Sequence, residues 1–417
     1  MGKEKKPSID GPVYDARTLG TPKMLVLGLQ HMFAMFGATV LVPALTGLDV
    51  ATTLLFAGLG TLLFHLLTKR QVPAFLGSSF AYLAGYWAIA PNGEANLLPY
   101  ACFAVAVSGL MYVILAGVIK TVGVNKVMRF FPPIVTGPII IAIGLILSSS
   151  AINNCSANWL VAIVAIIVVI VCNMWGKGMI KIIPVLISLI VSYIVAIIMG
   201  AVSFDGVSAA GWFGLPNFHL PKFNADCIVA GLAVAVAAMV EHVGDVMAIG
   251  ATTGINYIAD PGLTRTLLGD GIGTSLAGLL GGPANTTYSE NTGVVALTRV
   301  FDPFVMRIAA VMAIILSLSP KFEAVINSIP TAVIGGISFV LYGMIAATGI
   351  RTIVENQVDF VNMRNVLVAA IIMVSGLGFN TYPIHVGGVQ FGGLACAAVF
   401  GIILNAILPG KDYEFKE

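Results

Sequence analysis

The chain has 417 residues, 58% of them hydrophobic and only 10% charged, about half the charge content of an ordinary soluble domain. That balance excludes a water-soluble enzyme, and a net charge of +2 gives no reason to expect nucleic acid as a partner. Cys102, Cys155, Cys172, Cys227 and Cys396 stand at wide spacings, so neither a metal cluster nor a disulfide framework is expected, and no cofactor is implied.

In chain order, residues 1–24 form a polar tail carrying Lys3, Lys5, Lys6, Arg17 and Lys23. It has no short apolar core with a small-residue cleavage site, so it is not a signal peptide. Apolar runs follow at 25–47, 51–68, 76–90, 97–119, 128–150, 158–176, 180–202, 225–249, 265–281, 284–300, 304–320, 326–349, 364–379 and 388–409. At ~20 residues per membrane-spanning helix, these predict an all-α polytopic membrane protein with fourteen spans. With the N-terminus inside, the inner loops and tails collect 19 of the 21 basic residues, and only Lys222 and Lys321 fall on the other face. A wrong span count would scramble that segregation, so the positive-inside bias places both termini in the cytoplasm.

The two halves resemble one another. Gly77 to Ala81 with Gly85 matches Asn285 to Ser289 with Gly293, an offset of 208; Gln30-His31 matches Glu241-His242, and Pro132 to Gly137 matches Pro330 to Gly335. The repeat unit is then seven spans, and two copies of an odd unit enter the membrane from opposite sides, giving two inverted seven-span repeats. The matched segments of spans 3 and 10 contain Pro73 and Pro283, glycines and Ser/Thr runs, which predict extended backbone turning into helix halfway. Such breaks occur where they line a cavity, with the N–H groups of each half-helix pointing at its contents.

Four carboxylates fall in or near spans: Glu241, Asp245, Asp270 and Glu290. Each costs about 2.5–3.5 kcal/mol at the bilayer centre, so they are expected to face a polar cavity. A buried carboxyl without a basic partner takes up protons, as a proton carrier must. Glu241 and Asp245 are four apart and share a helix face; His242 points off that face and is expected to pack. Asp270 is expected close to the inner membrane interface. Carboxylate acceptors beside half-helix N–H donors match a ligand with alternating N–H and C=O groups, such as uracil or an oxidised purine. Phe80 and Tyr288 are candidates to offer faces to a planar ring.

From Glu290 to Arg299 the chain resembles the signature of the nucleobase–ascorbate transporter family, Gln/Glu/Pro-Asn-x-Gly-x4-Thr-Arg. With Gln30-His31, Phe33 to Pro43, Pro73 to Tyr82, Glu241 to Gly244 and Asn285 to Tyr288, it is similar to the bacterial uracil permease branch over nearly the whole chain. The resemblance implies a core domain (25–120 and 224–322, spans 1–4 and 8–11) moving against a gate domain (121–223 and 323–410, spans 5–7 and 12–14), with a second tail at 411–417. It implies a homodimer in the bacterial cytoplasmic membrane, surrounded by lipid, that imports uracil with protons. Carried over by position, Glu241 and Glu290 bind the base, the backbone N–H groups of Phe80 and Ser289 meet its carbonyls, and His31 supports the site. Asp245, Asp270 and Asn291 join His31 as candidates for proton coupling or site support.

Two departures stand out. Position 245 is Asp where the best-known uracil carriers have His and purine carriers tend to have Asp; position 289 is Ser where Gly is usual. The first keeps xanthine or another purine base open as substrate, whereas Glu at 290 is the uracil-type choice. An intramembrane protease is disfavoured, because Tyr14-Asp15 precedes the first span and Leu268 stands where such enzymes need Gly. A passive channel is disfavoured by carboxylates converging on one site, and an anion carrier by their charge.

Overall fold

The computed structural model describes residues 11–91, 93–386 and 389–410. Lys3, Lys5, Lys6, Lys411 and Lys416 of the expected tails lie outside the described residues. Helices α1 (Thr21–Thr46) and α2 (Val50–Leu67) lead into strand β1 (Leu76–Ser78), a 3-10 turn at Phe80–Tyr82 and α3 (Leu83–Ile89). There follow α4 (Leu98–Val122), α5 (Val124–Met128), α6 (Pro133–Ser156), α7 (Trp159–Trp175), α8 (Met179–Ile182), α9 (Pro184–Ile198), α10 (Asp205–Ala209), α11 (Ala225–Thr253) and α12 (Leu263–Leu279). Strand β2 (Asn285–Thr287) runs into α13 (Ser289–Thr298), then α14 (Pro303–Ser317), α15 (Pro320–Asn327), α16 (Thr331–Glu355) and α17 (Met363–Thr381). The hairpin β3 (Ile384–Val386) and β4 (Val389–Phe391) precedes α18 (Gly393–Ile407).

Each of the fourteen apolar runs contains helix. Among the described residues seven helices are long and apolar enough to cross a membrane, namely α1, α2, α4, α6, α11, α16 and α17; an eighth is counted if α14 and α15, bent by 87°, are one broken span. The chain is a mostly helical, polytopic membrane protein. The shorter α7, α9, α12, α14 and α18 have 15–17 residues, about 22–26 Å at 1.5 Å per residue. The strand before α18 had no Ser/Thr-rich signal to announce it.

At the centre, β1 and β2 pair antiparallel with Gly77 opposite Thr286, and all six residues are buried. The ladder continues through Ser79 N–H to Ala284 O and Tyr288 N–H to Phe75 O, both 2.9 Å. Counted from the N-caps Ser79 and Tyr288, the two segments differ by 209 residues, one more than the sequence match of 208. By cap position Phe80 answers Ser289 rather than Tyr288. Aligning the aromatics had set the shift, whereas the helix starts place it one residue further on. The ribbon's outer edges are closed by threonines. Thr61 on α2 accepts from Leu76 N–H at 2.9 Å, and Thr274 on α12 accepts from Asn285 N–H at 3.2 Å and donates back to Asn285 O at 3.1 Å.

Among the most extensive helix contacts are α6 with α16, α4 with α12, and α2 with α14. Each is made close by a small residue: a Cβ on Gly144, Gly109 or Gly58 would strike a backbone oxygen of Tyr342, Gly271 or Ala310. Backbones that approach this closely gain packing in a solvent that offers no hydrophobic drive. Two buried apolar clusters result, one joining α3, α4, α6, α11, α12, α17 and α18, the other α1, α2, α7, α9, α13, α14 and α16.

Gly77 lies under the Tyr288 ring, so that a Cβ there would overlap Cζ. Gly77→Ala is expected to cost about 1–3 kcal/mol by overpacking, read as a lowered unfolding midpoint of detergent-purified protein. Gly117→Ala on α4, where a Cβ meets nothing within 4 Å, is expected to leave the midpoint unchanged.

Candidate functional site

Asp49, Asn158, Asp302 and Asn362 accept from first-turn N–H groups of α2, α7, α14 and α17. The two half-helices, like α1, α4, α6, α9, α12, α16 and α18, start without a side-chain cap bond, their N-caps being Ser79 and Tyr288; what sets these two apart is that each follows a strand of the buried ribbon. Because β1 and β2 are antiparallel, the half-helices leave the ribbon in opposite directions and both N-termini remain at its ends, at the middle of the fold. Their first N–H groups, at Phe80 and Ser289, are donors aimed away from the ribbon.

Helix α11 brings Glu241 and Asp245 to the same place, and α13 brings Ser289 and Glu290. Glu241 is half-buried, has no hydrogen-bond or ion-pair partner among the described residues, and lies in electrostatic reach of Asp245, Asp270 and Glu290. No basic group acts on it. Glu290 is half-buried, its carboxyl engaging its own backbone N–H. One turn on from these acids, Gly244 and Gly293 face open space, where a Cβ would meet nothing within 4 Å, and Ser289 is exposed. Asp245 is 9% exposed and fully engaged: Thr287 Oγ1 donates to Oδ2 at 2.8 Å and Ser289 Oγ to Oδ1 at 2.7 Å.

The remaining expected residues fall into supporting positions. Asn291 donates to the His31 carbonyl at 3.0 Å, with Nδ1 of the same histidine 3.2 Å away, tying α13 to α1. Tyr288 is 4% exposed; its hydroxyl donates to Ser78 O at 2.8 Å and receives Thr39 Oγ1 at 3.2 Å. One face of its ring is spent on Gly77, so Tyr288 braces the ribbon. Phe80 is half-buried and meets Tyr342 of α16 edge-on, ring centres 6.4 Å apart.

Asp270 lies within a helix and has a buried partner. It is the eighth residue of α12, wholly buried, with His242 Nδ1 2.8 Å from its Oδ2. His242, expected merely to pack, is also wholly buried and is the partner of that acid. Its contact lies across helices, and spacing along one helix carries no sign of it. Thr287 and Tyr342 were missed for the same reason. Two cavities among the described residues, of about 540 and 460 Å³, lie elsewhere, one lined by Asp49, Asn217, His219 and Glu323, the other by Tyr100, Asn224 and Asn380.

Acceptors at Glu241 and Glu290 and donors at two helix starts complement a small planar molecule with adjacent N–H and C=O groups. Comparison with known proteins agrees in kind. Residues 22–385 match Xan_ur_permease, described as a permease family. The chain is 41% identical to the uracil permease of Bacillus caldolyticus, over 97% of this chain and 96% of that protein. It is 41% identical to the uracil permease of Bacillus subtilis, over 95% of each. Among solved structures, the transmembrane domain of the cyanobacterial bicarbonate transporter BicA superposes with a TM-score of 0.62, covering 95% of this chain and 100% of that one at 15% identity; at that identity the likeness is one of fold.

Removing one partner of a buried hydrogen-bonded pair leaves the other unsatisfied. His242→Ala is therefore expected to lower the unfolding free energy by about 1–3 kcal/mol, seen as a drop in midpoint, while the double variant His242→Ala/Asp270→Ala recovers part of the loss.

Proposed function

Because this chain belongs to the nucleobase–ascorbate transporter family, in its uracil permease branch, and is a permease rather than an enzyme, we propose that it imports uracil together with a proton by alternating access. The observation that carries this reading is that two half-helices start from the ends of one buried antiparallel ribbon, one with Glu290 in its first turn, while Glu241 on α11 lies in electrostatic reach of Glu290 and has no hydrogen-bond partner among the described residues. In this reading the base lies between the half-helices. Glu241 and Glu290 accept from its ring N–H groups, and the N–H groups of Phe80 and Ser289 donate to its carbonyls. Glu241, unpartnered and surrounded by other acids, takes the proton.

The chain then has fourteen spans in two inverted repeats. Support comes from the antiparallel ribbon and from helix pairs that exchange under such a symmetry: α2 with α14 answers α12 with α4, and α6 with α16 answers itself. Residues 25–120 and 224–322 form the moving core and 121–223 with 323–410 the gate, touching at Phe80 and Tyr342. The distribution of basic residues supports cytoplasmic termini, and the family supports a homodimer in a bacterial cytoplasmic membrane. A purine substrate would draw on Asp245, whose two oxygens are already occupied, and uracil is therefore the first choice.

Uracil is expected to raise the unfolding midpoint of the purified protein, while xanthine and hypoxanthine do not, and Glu290→Gln is expected to abolish the shift. Stabilisation by a purine instead would transfer the assignment to that base. In proteoliposomes with an inward proton gradient, Glu241→Gln is expected to eliminate accumulation; full accumulation by this variant would remove Glu241 from the mechanism.

A further inference from the structure

The Asp245 carboxylate is bound at both ends of one junction. Thr287, which donates to Oδ2 at 2.8 Å, is the last residue of β2; Ser289, which donates to Oδ1 at 2.7 Å, is the first of α13. Thr287 is 2% exposed and Asp245 9%. One side chain of α11 thus grips the strand and the helix on either side of Tyr288, where the chain turns from extended to helical backbone. One turn away on the same helix face, Glu241 has no partner.

We propose that Thr287 and Ser289 are positioning residues that hold Asp245 as a brace. Through it they fix the angle at which α13 leaves β2, and with it the direction of the Ser289 and Glu290 N–H groups. Each Asp245 oxygen already accepts from one hydroxyl, so a proton or ring N–H would have to share an oxygen with that donor and would weaken a charge-assisted bond. The titratable groups facing Asp245 are Glu241 and His242 on its own helix and Glu290 on α13; of these only Glu241 has an unengaged carboxylate to exchange the transported proton.

What the N–H groups receive rests on the functional reading above; the brace itself does not. The test is a cycle of Ser289→Ala, Asp245→Asn and the double variant, with Ser289→Thr as the hydroxyl-retaining control. Uracil binding to purified protein and the external-pH profile of uptake into proteoliposomes are both measured. Ser289→Ala is expected to weaken uracil binding about tenfold, and Ser289→Thr to restore it to within about threefold. On the Asp245→Asn background, Ser289→Ala should cost less than about threefold, because the hydroxyl acts through the carboxylate. Asp245→Asn is expected to keep the wild-type shape of the pH profile.

Additive losses in the cycle, or a pH profile flattened by Asp245→Asn, would overturn the proposal, the latter by making Asp245 the proton carrier. If uracil fails to bind the wild-type protein, the functional reading falls. The brace is then judged from unfolding midpoints of the same ligand-free variants, where coupling supports it and additivity refutes it.

Discussion

A two-stranded ribbon buried among membrane helices leaves each strand with one edge unpaired, and the hydrocarbon supplies no water to satisfy it. The rest of the structure depends on how that debt of backbone groups is met. Thr61 and Thr274 bond to Leu76 and Asn285 on the two outer edges, and Asn285 Nδ2 donates to Phe56 O at 3.2 Å. Both threonines sit on helices, α2 and α12, that themselves pack through glycine against α14 and α4. With the edges closed, the ribbon can end in mid-membrane and hand its chain to a helix whose first N–H groups are left for a ligand.

Four acids close to that ribbon meet three different fates, and the difference is a matter of partners. Asp270 has a buried histidine at 2.8 Å. Asp245 has two hydroxyls. Glu241 and Glu290 have accessible space and no basic group. Protonating an acid whose oxygens already accept hydrogen bonds weakens those bonds, while an acid without such partners loses nothing of the kind. The division of labour between structural and working carboxylates can therefore be read from hydrogen bonding without appeal to which residue type stands at each position.

The architecture was largely legible in the sequence, since length of apolar run and Gly/Pro/Ser/Thr punctuation are local signals. All fourteen runs hold helix, and the strands at 76–78 and 285–287 fall where the broken segments were expected. The site's shared helix face was legible too, because 241 and 245 are one turn apart. Contacts between elements were not. The His242–Asp270 pair, the Thr287 and Ser289 grip on Asp245, and the Phe80–Tyr342 contact each join residues at least 28 positions apart. Local patterning carries no term for such distances.

The one-residue correction bears on how a near-symmetric scaffold comes to bind an asymmetric molecule. Ser79 and Tyr288 occupy equivalent cap positions, Phe80 answers Ser289, and Ala81 answers Glu290. On the companion helices, Gln30 answers Glu241. The backbone donors are thus duplicated across the ribbon, whereas the carboxylates come from the second half alone. In the proposed reading a flat ring with carbonyls on two sides would use both sets of donors, and its N–H groups would turn toward α11 and α13. Duplicated donors with one-sided acceptors would then fix the orientation of such a ring in its plane, which neither the symmetry of the fold nor the acids alone would do.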